Sequence, residues 1–195
     1  MTSYYIEEVG DIWFGVAFKA EFIYATTFAP TEKNALQGLK ESVHFNVSLE
    51  HPSRTEFVRH VIATLKDIYD GKDVPHRLLL ATEHLSKYGK NVIETVCKVP
   101  AGYVTTYGEV AKASGGGPRA VGQIMASNPF APVCPCHRVV KSDFTLGGYG
   151  GGLETKLAFL KRERRSYPSE QEIPVDSRKL RIFPVEFAIR KAEEG

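Results

Sequence analysis

The run Pro135-Cys136-His137-Arg138-Val139 sets a thiol beside an imidazole, behind a proline and ahead of a β-branched residue. These residue types suit a nucleophile held in a fixed pose. A free cysteine titrates near 8.5, so only about 3% is thiolate at pH 7. A nucleophilic cysteine therefore needs a base or a cation beside it. His137 is the local base, but in an extended chain adjacent side chains point to opposite sides. A bent backbone or a water molecule has to connect the two. A third group should orient the histidine. Glu163, on a helix expected over 153–164, is the candidate on charge grounds. The alternative is that Cys136 is a small buried apolar residue, since free cysteines are among the most buried residue types.

Other chemistry is less well supported. Structural zinc sites space cysteines as C-x₂₋₄-C with a second ligand pair elsewhere. Cys134 and Cys136 have one residue between them, and only Cys97 remains. A disulfide between Cys134 and Cys136 would close a very tight ring. Cys97 is expected in the core, and Cys134 as a buried strand residue beside the site. The other histidines form no recognisable ligand pattern.

The elements that must position this site are legible in outline. The chain has 195 residues, enough for one domain or two small ones. Its 43% hydrophobic and 25% charged content is that of an ordinary globular protein. No run of about 18 apolar residues suggests a membrane span, and the N-terminus shows no secretory signal pattern. Three sparse cysteines suit a reducing compartment. The net charge of +2 says little, but its distribution says more. Residues 1–97 carry a net of −3, residues 98–165 a net of +6 and residues 166–195 a net of −1. The basic excess surrounds Cys136, as an anion-binding face or merely a solvated surface would have it.

Three strands over 4–9, 12–18 and 22–28, rich in β-branched and aromatic residues, suggest an antiparallel meander. A short helix over 31–43 and a brief strand over 45–49 follow. A helix over 53–69 is marked by a Ser53/Glu56 capping box and an apolar stripe from Phe57 to Tyr69. After a loop, a helix is expected over 86–98. Thr106 with Glu109 opens another at Tyr107–Ser114, which Gly115-Gly116-Gly117 ends. Pro118 suits the first turn of a helix over 119–127. Two short helices across a glycine turn form a helix-turn-helix pattern, the second carrying Arg119, Gln123 and Met125. Residues 166–195 look like an appendage packed on the body, broken by Pro168, Pro174 and Pro184, with a last helix over 184–194. The expected division is an N-terminal α/β domain over 1–82, a second domain over 83–165 and an extension over 166–195.

Several unrelated motifs in order resemble the O6-alkylguanine-DNA alkyltransferases. They are Val99-Pro100-Ala101-Gly102, Thr106-Tyr107-Gly108, Arg119-Ala120-Val121-Gly122, Asn128-Pro129, the Cys136 run, Tyr149 among its glycines, and Glu163. The likeness covers about residues 86–165. It implies an α/β (α+β) protein, with a ribonuclease H-like N-terminal domain of antiparallel sheet and a C-terminal winged-helix, helix-turn-helix domain. It further implies a monomer, cytoplasmic or nuclear, that binds double-stranded DNA containing alkylated guanine and needs no cofactor or metal. The helix-turn-helix would enter the minor groove and the target base would be flipped out, because the alkyl carbon cannot be reached in the stack. Cys136 would accept the alkyl group from O6-alkylguanine, and less efficiently from O4-alkylthymine. A thioether has no easy route back to thiolate, so each molecule would turn over once.

The same resemblance assigns roles residue by residue. His137, through water, and Glu163 would activate Cys136. Tyr107 would crowd a phosphate and donate a proton to the guanine ring. Arg119 would fill the gap left by the flipped base, and Met125 would line an apolar pocket. Asn128 would tie the recognition helix to the active-site turn. The carbonyls of Cys136 and Val139 would read the guanine amino group, Tyr149 would pack on the base, and the Gly150 amide would donate to the alkylated oxygen. Lys156 would lie near the site. Three departures stand out. Cys134 replaces an aliphatic residue, neutrally or with added sensitivity to oxidation. No cysteine precedes Cys97, which excludes the N-terminal zinc site of some relatives. The tail is longer than the family core. The competing readings are a damage sensor without transfer, which Cys136 argues against, a sequence-reading helix-turn-helix regulator, and a cysteine hydrolase. Ala120, Val121, Gly122, Ile124, Met125 and Ala126 suit close apolar approach better than base-edge readout.

Overall fold

The computed structural model describes residues 2–43, 53–74 and 78–194. The chain forms two compact units. The first comprises Met1–Tyr69, Val74–His84 and Asn128–Val133; the second comprises Asp70–Asp73, Leu85–Ser127 and Cys134–Gly195.

In the first unit, β1 (Ser3–Val9), β2 (Ile12–Lys19) and β3 (Phe22–Ala29) form the expected antiparallel meander. The registers Val9↔Ile12 and Lys19↔Phe22 leave two-residue turns, with Gly10 and Ala20 at positive φ. Such hairpin turns match the twist of the flanking strands. Next comes α1 (Glu32–Ser42), with the Thr31 side chain accepting from Asn34 N at 3.2 Å. The helix α2 (Glu56–Tyr69) starts later than its sequence suggests. Its first turn is capped by Thr55, whose Oγ1 accepts from Val58 N at 3.2 Å, so the Ser53/Glu56 capping box does not form. The two patterns overlap, and Thr55 is the residue immediately before the first helical residue, Glu56. β4 (Leu79–Leu80) pairs parallel to β3. The strand expected over 45–49 lies outside the described residues. Residues 128–133 join this unit through Thr26, whose amide and hydroxyl donate to the carbonyls of Pro129 and Ala131, both at 2.9 Å.

The second unit opens with α3 (Lys87–Val96), capped by Ser86, and β5 (Tyr103–Thr106). β5 runs directly into α4 (Tyr107–Ser114). The Thr106 hydroxyl accepts from Glu109 N at 3.2 Å. Gly115 ends α4 at φ +82°, and its amide and that of Gly116 both donate to the Ala111 carbonyl. Only glycine takes this left-handed conformation without cost. α5 (Pro118–Ala126) begins on its proline, which lacks an N–H where none can be satisfied within the helix. A 3₁₀ turn at Cys136–Arg138 leads into β6 (Val139–Val140), and α6 (Leu153–Arg162) follows the glycine run.

The tail is not a mere appendage. β7 (Gln171–Val175) and β8 (Arg178–Pro184) form an antiparallel hairpin, and β8 pairs with β5. The sheet order is β6-β5-β8-β7. The prolines that read as breakers fit because Pro174 lies on the edge strand β7 and Pro184 ends β8. The last helix, α7 (Glu186–Glu193), forms near its expected place. Its Ala188 and Ile189 join Val104, Val140, Leu160 and Phe183 in one apolar core. That core fixes β5 and β6, and with them both edges of the site.

The Thr106 cap should be measurable. Thr106→Ala is expected to cost about 1 kcal/mol and to lower the melting temperature by roughly 2–4 °C. Thr106→Ser should recover most of this in thermal unfolding; an equal loss for both would remove the cap from the account.

Candidate active site

Pro135 shapes the approach to the thiol. Its ring holds φ at −80°, with ψ at 66°, and the Cys136 amide donates back to the Cys134 carbonyl at 2.8 Å. This is an inverse γ-turn, a conformation proline accommodates. The Arg138 amide donates to the Pro135 carbonyl at 2.9 Å and closes the 3₁₀ turn. The backbone is therefore bent at Cys136 rather than extended, as any link between neighbouring thiol and imidazole requires. Cys134 lies in the bend ahead of this turn, fully buried, rather than in a strand. Cys97, expected in the core, is only half-buried at the end of α3.

Glu163 caps the C-terminus of α6 and is fully buried. Its Oε1 lies 2.8 Å from His137 Nε2. Arg138 Nε donates to Oε2 at 2.9 Å and Arg138 Nη2 to Oε1 at 2.7 Å. Arg138 Nη1 donates to the Val99 carbonyl at 2.5 Å. Burial alone would push the carboxyl up, but His137 and Arg138 outweigh it and hold the Glu163 pKa at about 2. Burial pushes the His137 imidazole down, against the pull of Glu163. We take the pair as an ionised Glu163 and a neutral His137 at pH 7, because the Arg138 guanidinium already balances the carboxylate.

That assignment fixes the tautomer. An ionised carboxylate only accepts, so Nε2 must donate to it and Nδ1 must be the acceptor nitrogen. Nδ1 is buried and has no protein partner. The ring stacks on Phe159, with centroids 4.5 Å apart. Arg138, which the sequence suggested only as part of the basic surround, is thus the main clamp on the carboxylate. A residue immediately after a candidate histidine and opposite a lone acidic residue was the available signal.

Lys156 is fully buried on α6. Its ammonium donates to the carbonyls of Val139 at 2.6 Å, Leu146 at 2.5 Å and Gly148 at 3.3 Å. Burial lowers its pKa to about 8, and the nearby Cys136 charge works against that fall. It remains largely charged at pH 7 and favours a Cys136 thiolate. It also lies 6.0 Å from the ring centroids of both Tyr107 and Tyr149. Burial, then the Cys136 charge, raises the pKa of Tyr107, and raises Tyr149 further. Both phenols are protonated at neutral pH. The Tyr149 hydroxyl is buried with no protein partner.

The structure thus gathers Cys136, His137, Glu163, Val139, Lys156, Tyr107 and Tyr149 into one electrostatic cluster. Val139 O accepts from Lys156, and Cys136 O accepts from Val139 N. Gly150 is exposed on the glycine run. Arg119 is the second residue of α5 and is exposed, while Met125 on the same helix is buried. Asn128 belongs to the first unit, where its Oδ1 accepts from Phe130 N at 3.0 Å.

Comparison with known proteins follows the same line. The family model for the DNA-binding domain of 6-O-methylguanine DNA methyltransferase matches residues 87–165. A methylated-DNA–protein-cysteine methyltransferase of Thermococcus gammatolerans is 36% identical over 162 residues, covering 78% of this chain and 89% of that protein. The chain belongs to this family. Its namesake from Pyrobaculum aerophilum is 57% identical over 65 residues, a match that spans 33% of this chain and 44% of that relative. The crystal structure of O6-methylguanine-DNA methyltransferase from the archaeon Pyrococcus kodakaraensis strain KOD1 superposes with a TM-score of 0.63 at 31% identity. It covers 84% of this chain and 99% of that one, so the family fold extends through both units.

The clamp has a pH signature. Folding lowers the Glu163 pKa from 4.5 to about 2. A depressed carboxyl contributes stability that is complete above its unfolded value and is lost as pH falls through its folded one. Its contribution is about 3 kcal/mol. In urea unfolding, Glu163→Gln should lose stability at pH 7 and fall less steeply than the parent between pH 4.5 and 2. An identical acid slope would mean that the carboxyl is not held ionised.

Proposed function

We propose that this protein repairs DNA by direct reversal, moving an alkyl group from O6 of guanine in double-stranded DNA to the Cys136 sulfur. The observation that carries this is the His137–Glu163 pair, which leaves a buried acceptor nitrogen on the residue next to the thiol. In our reading, Cys136 passes its proton through a water molecule to His137 Nδ1. The thiolate then attacks the alkyl carbon. The carbon–O6 bond breaks, its electron pair stays on the guanine, and Tyr107 supplies a proton to the ring. Guanine and a cysteine thioether are the products, so each molecule reacts once.

The remaining roles belong to this proposal. Lys156 stabilises the thiolate and braces the loop that carries Tyr149. The unpartnered Tyr149 hydroxyl suits a polar base edge, the carbonyls of Cys136 and Val139 would read the guanine amino group, and the Gly150 amide would donate to the alkylated oxygen. α5 would lie in the minor groove, with Met125 behind it and exposed Arg119 entering the stack where the base leaves. Asn128 would set the recognition helix against the active-site turn. O4-alkylthymine would be a poorer substrate. The meander with its parallel fourth strand fits a ribonuclease H-like description, and the helix pair with the β7–β8 hairpin a winged one. The protein would act as a monomer wherever the cell keeps its DNA, without a cofactor.

Incubation with a duplex carrying O6-methylguanine should add one methylene, about 14 Da, to the Cys136 peptide and restore guanine. Transfer that persists in Cys136→Ala would defeat the mechanism, and binding without transfer would make the protein a sensor. Unstacking a base costs a few kcal/mol. Arg119→Ala should therefore slow repair of duplex DNA about tenfold or more, while reaction with a free O6-alkylguanine base stays near the parental rate. Equal losses on both substrates would remove Arg119 from the flipping step.

A further inference from the structure

Cys134 has no part in the transfer chemistry, yet it is fully buried two residues before the nucleophile. Its sulfur points to the end of α3, with Sγ 3.9 Å from the Ile93 carbonyl oxygen. The same oxygen accepts from the Cys97 amide at 2.9 Å. One carbonyl therefore holds both residues, and burial first, then the neighbouring Cys97 side chain, push the Cys134 thiol's pKa up. Both belong to the second unit. The two differ in access, since Cys97 is half-buried and Cys134 is sealed. Cys136 is a poorer partner for Cys134, because a bridge across the single residue Pro135 closes a strained ring.

We propose that Cys97 and Cys134 are a disulfide-forming pair, a reversible oxidation site that ties the end of α3 to the active-site turn and spares Cys136. Hydrogen peroxide is the oxidant of the proposal. The Cys97 thiolate, reached from solvent, attacks one peroxide oxygen; the O–O bond breaks and the released hydroxide takes a proton to become water. The Cys134 sulfur then displaces hydroxide from the Cys97 sulfenic acid, and its own proton completes a second water. Two thiols and one peroxide give one disulfide and two waters. The bond closes a loop containing β5, α4 and α5, the elements that carry Tyr107 and Arg119. Closing a loop of that size restricts the unfolded chain.

The test uses the full chain and does not depend on alkyl transfer. The protein is treated with hydrogen peroxide, remaining thiols are blocked with N-ethylmaleimide, and non-reduced tryptic peptides are mapped by mass spectrometry. The expected product links Cys97 to Cys134, retains a maleimide on Cys136 and disappears with dithiothreitol. Oxidised protein should melt higher by on the order of 10 °C. Cys97→Ser should lose both the link and this rise while reacting at Cys136 as the parent does. A Cys134–Cys136 link, oxidation confined to Cys136, or no link at all would overturn the proposal. Fragmentation between Cys134 and Cys136 shows which of the two carries the link to Cys97 and which the maleimide, and a link at Cys136 would equally overturn the proposal.

Discussion

A carboxylate without water must be balanced by charge and hydrogen bonds, or it will not stay ionised. Glu163 meets that condition through Arg138, whose guanidinium grips it at 2.7 and 2.9 Å, and through His137 at 2.8 Å. Everything chemical in this site depends on that arrangement. With the carboxylate ionised and Arg138 neutralising it, the imidazole can remain uncharged. Its Nε2 is committed as a donor, and Nδ1 is left as a buried acceptor on the residue next to the thiol. Lys156 adds the second half of the field, a buried cation that favours a negative sulfur and, with Arg138, helps keep the imidazole uncharged.

The fold serves this arrangement by anchoring both ends of each partner. β5 pairs with β6 on one side and β8 on the other. It therefore fixes the 3₁₀ turn through β6 and launches Tyr107 at its own end. α6 brings Lys156 and Glu163, seven residues apart, onto the same side of that turn. The apolar core shared by β5, β8, α6 and α7 makes the C-terminal hairpin part of the scaffold on which the site is built. Arg178 extends this support, donating from Nη1 to the Lys112 carbonyl at 2.9 Å in the last turn of α4.

Features that act within a few residues could be read directly. Pro135 ahead of Cys136, Thr106 three before Glu109, and Gly115 after α4 each dictate a turn or cap by local sterics and hydrogen bonding. Ser53 misled because Thr55 offered the same chemistry two residues later, and periodicity does not choose between adjacent caps. The strands β7 and β8 were hidden by prolines that are harmless at an edge and at a strand end. Arg138 was hidden for another reason. Its partner lies 25 residues away, and an arginine beside a histidine reads as surface charge until the fold buries both. The order of the motifs carried the family likeness, but the ionisation of Glu163 and the tautomer of His137 follow from geometry.

The central claim is that tautomer. Nitrogen-15 NMR of the imidazole at pH 7, assigned with His137→Gln, tests it directly. The account predicts a neutral His137 ring protonated at Nε2 and bare at Nδ1, with this preference lost in Glu163→Ala. A ring protonated at Nδ1, or an imidazolium at pH 7, would contradict it, since neither leaves a base to take the proton of Cys136.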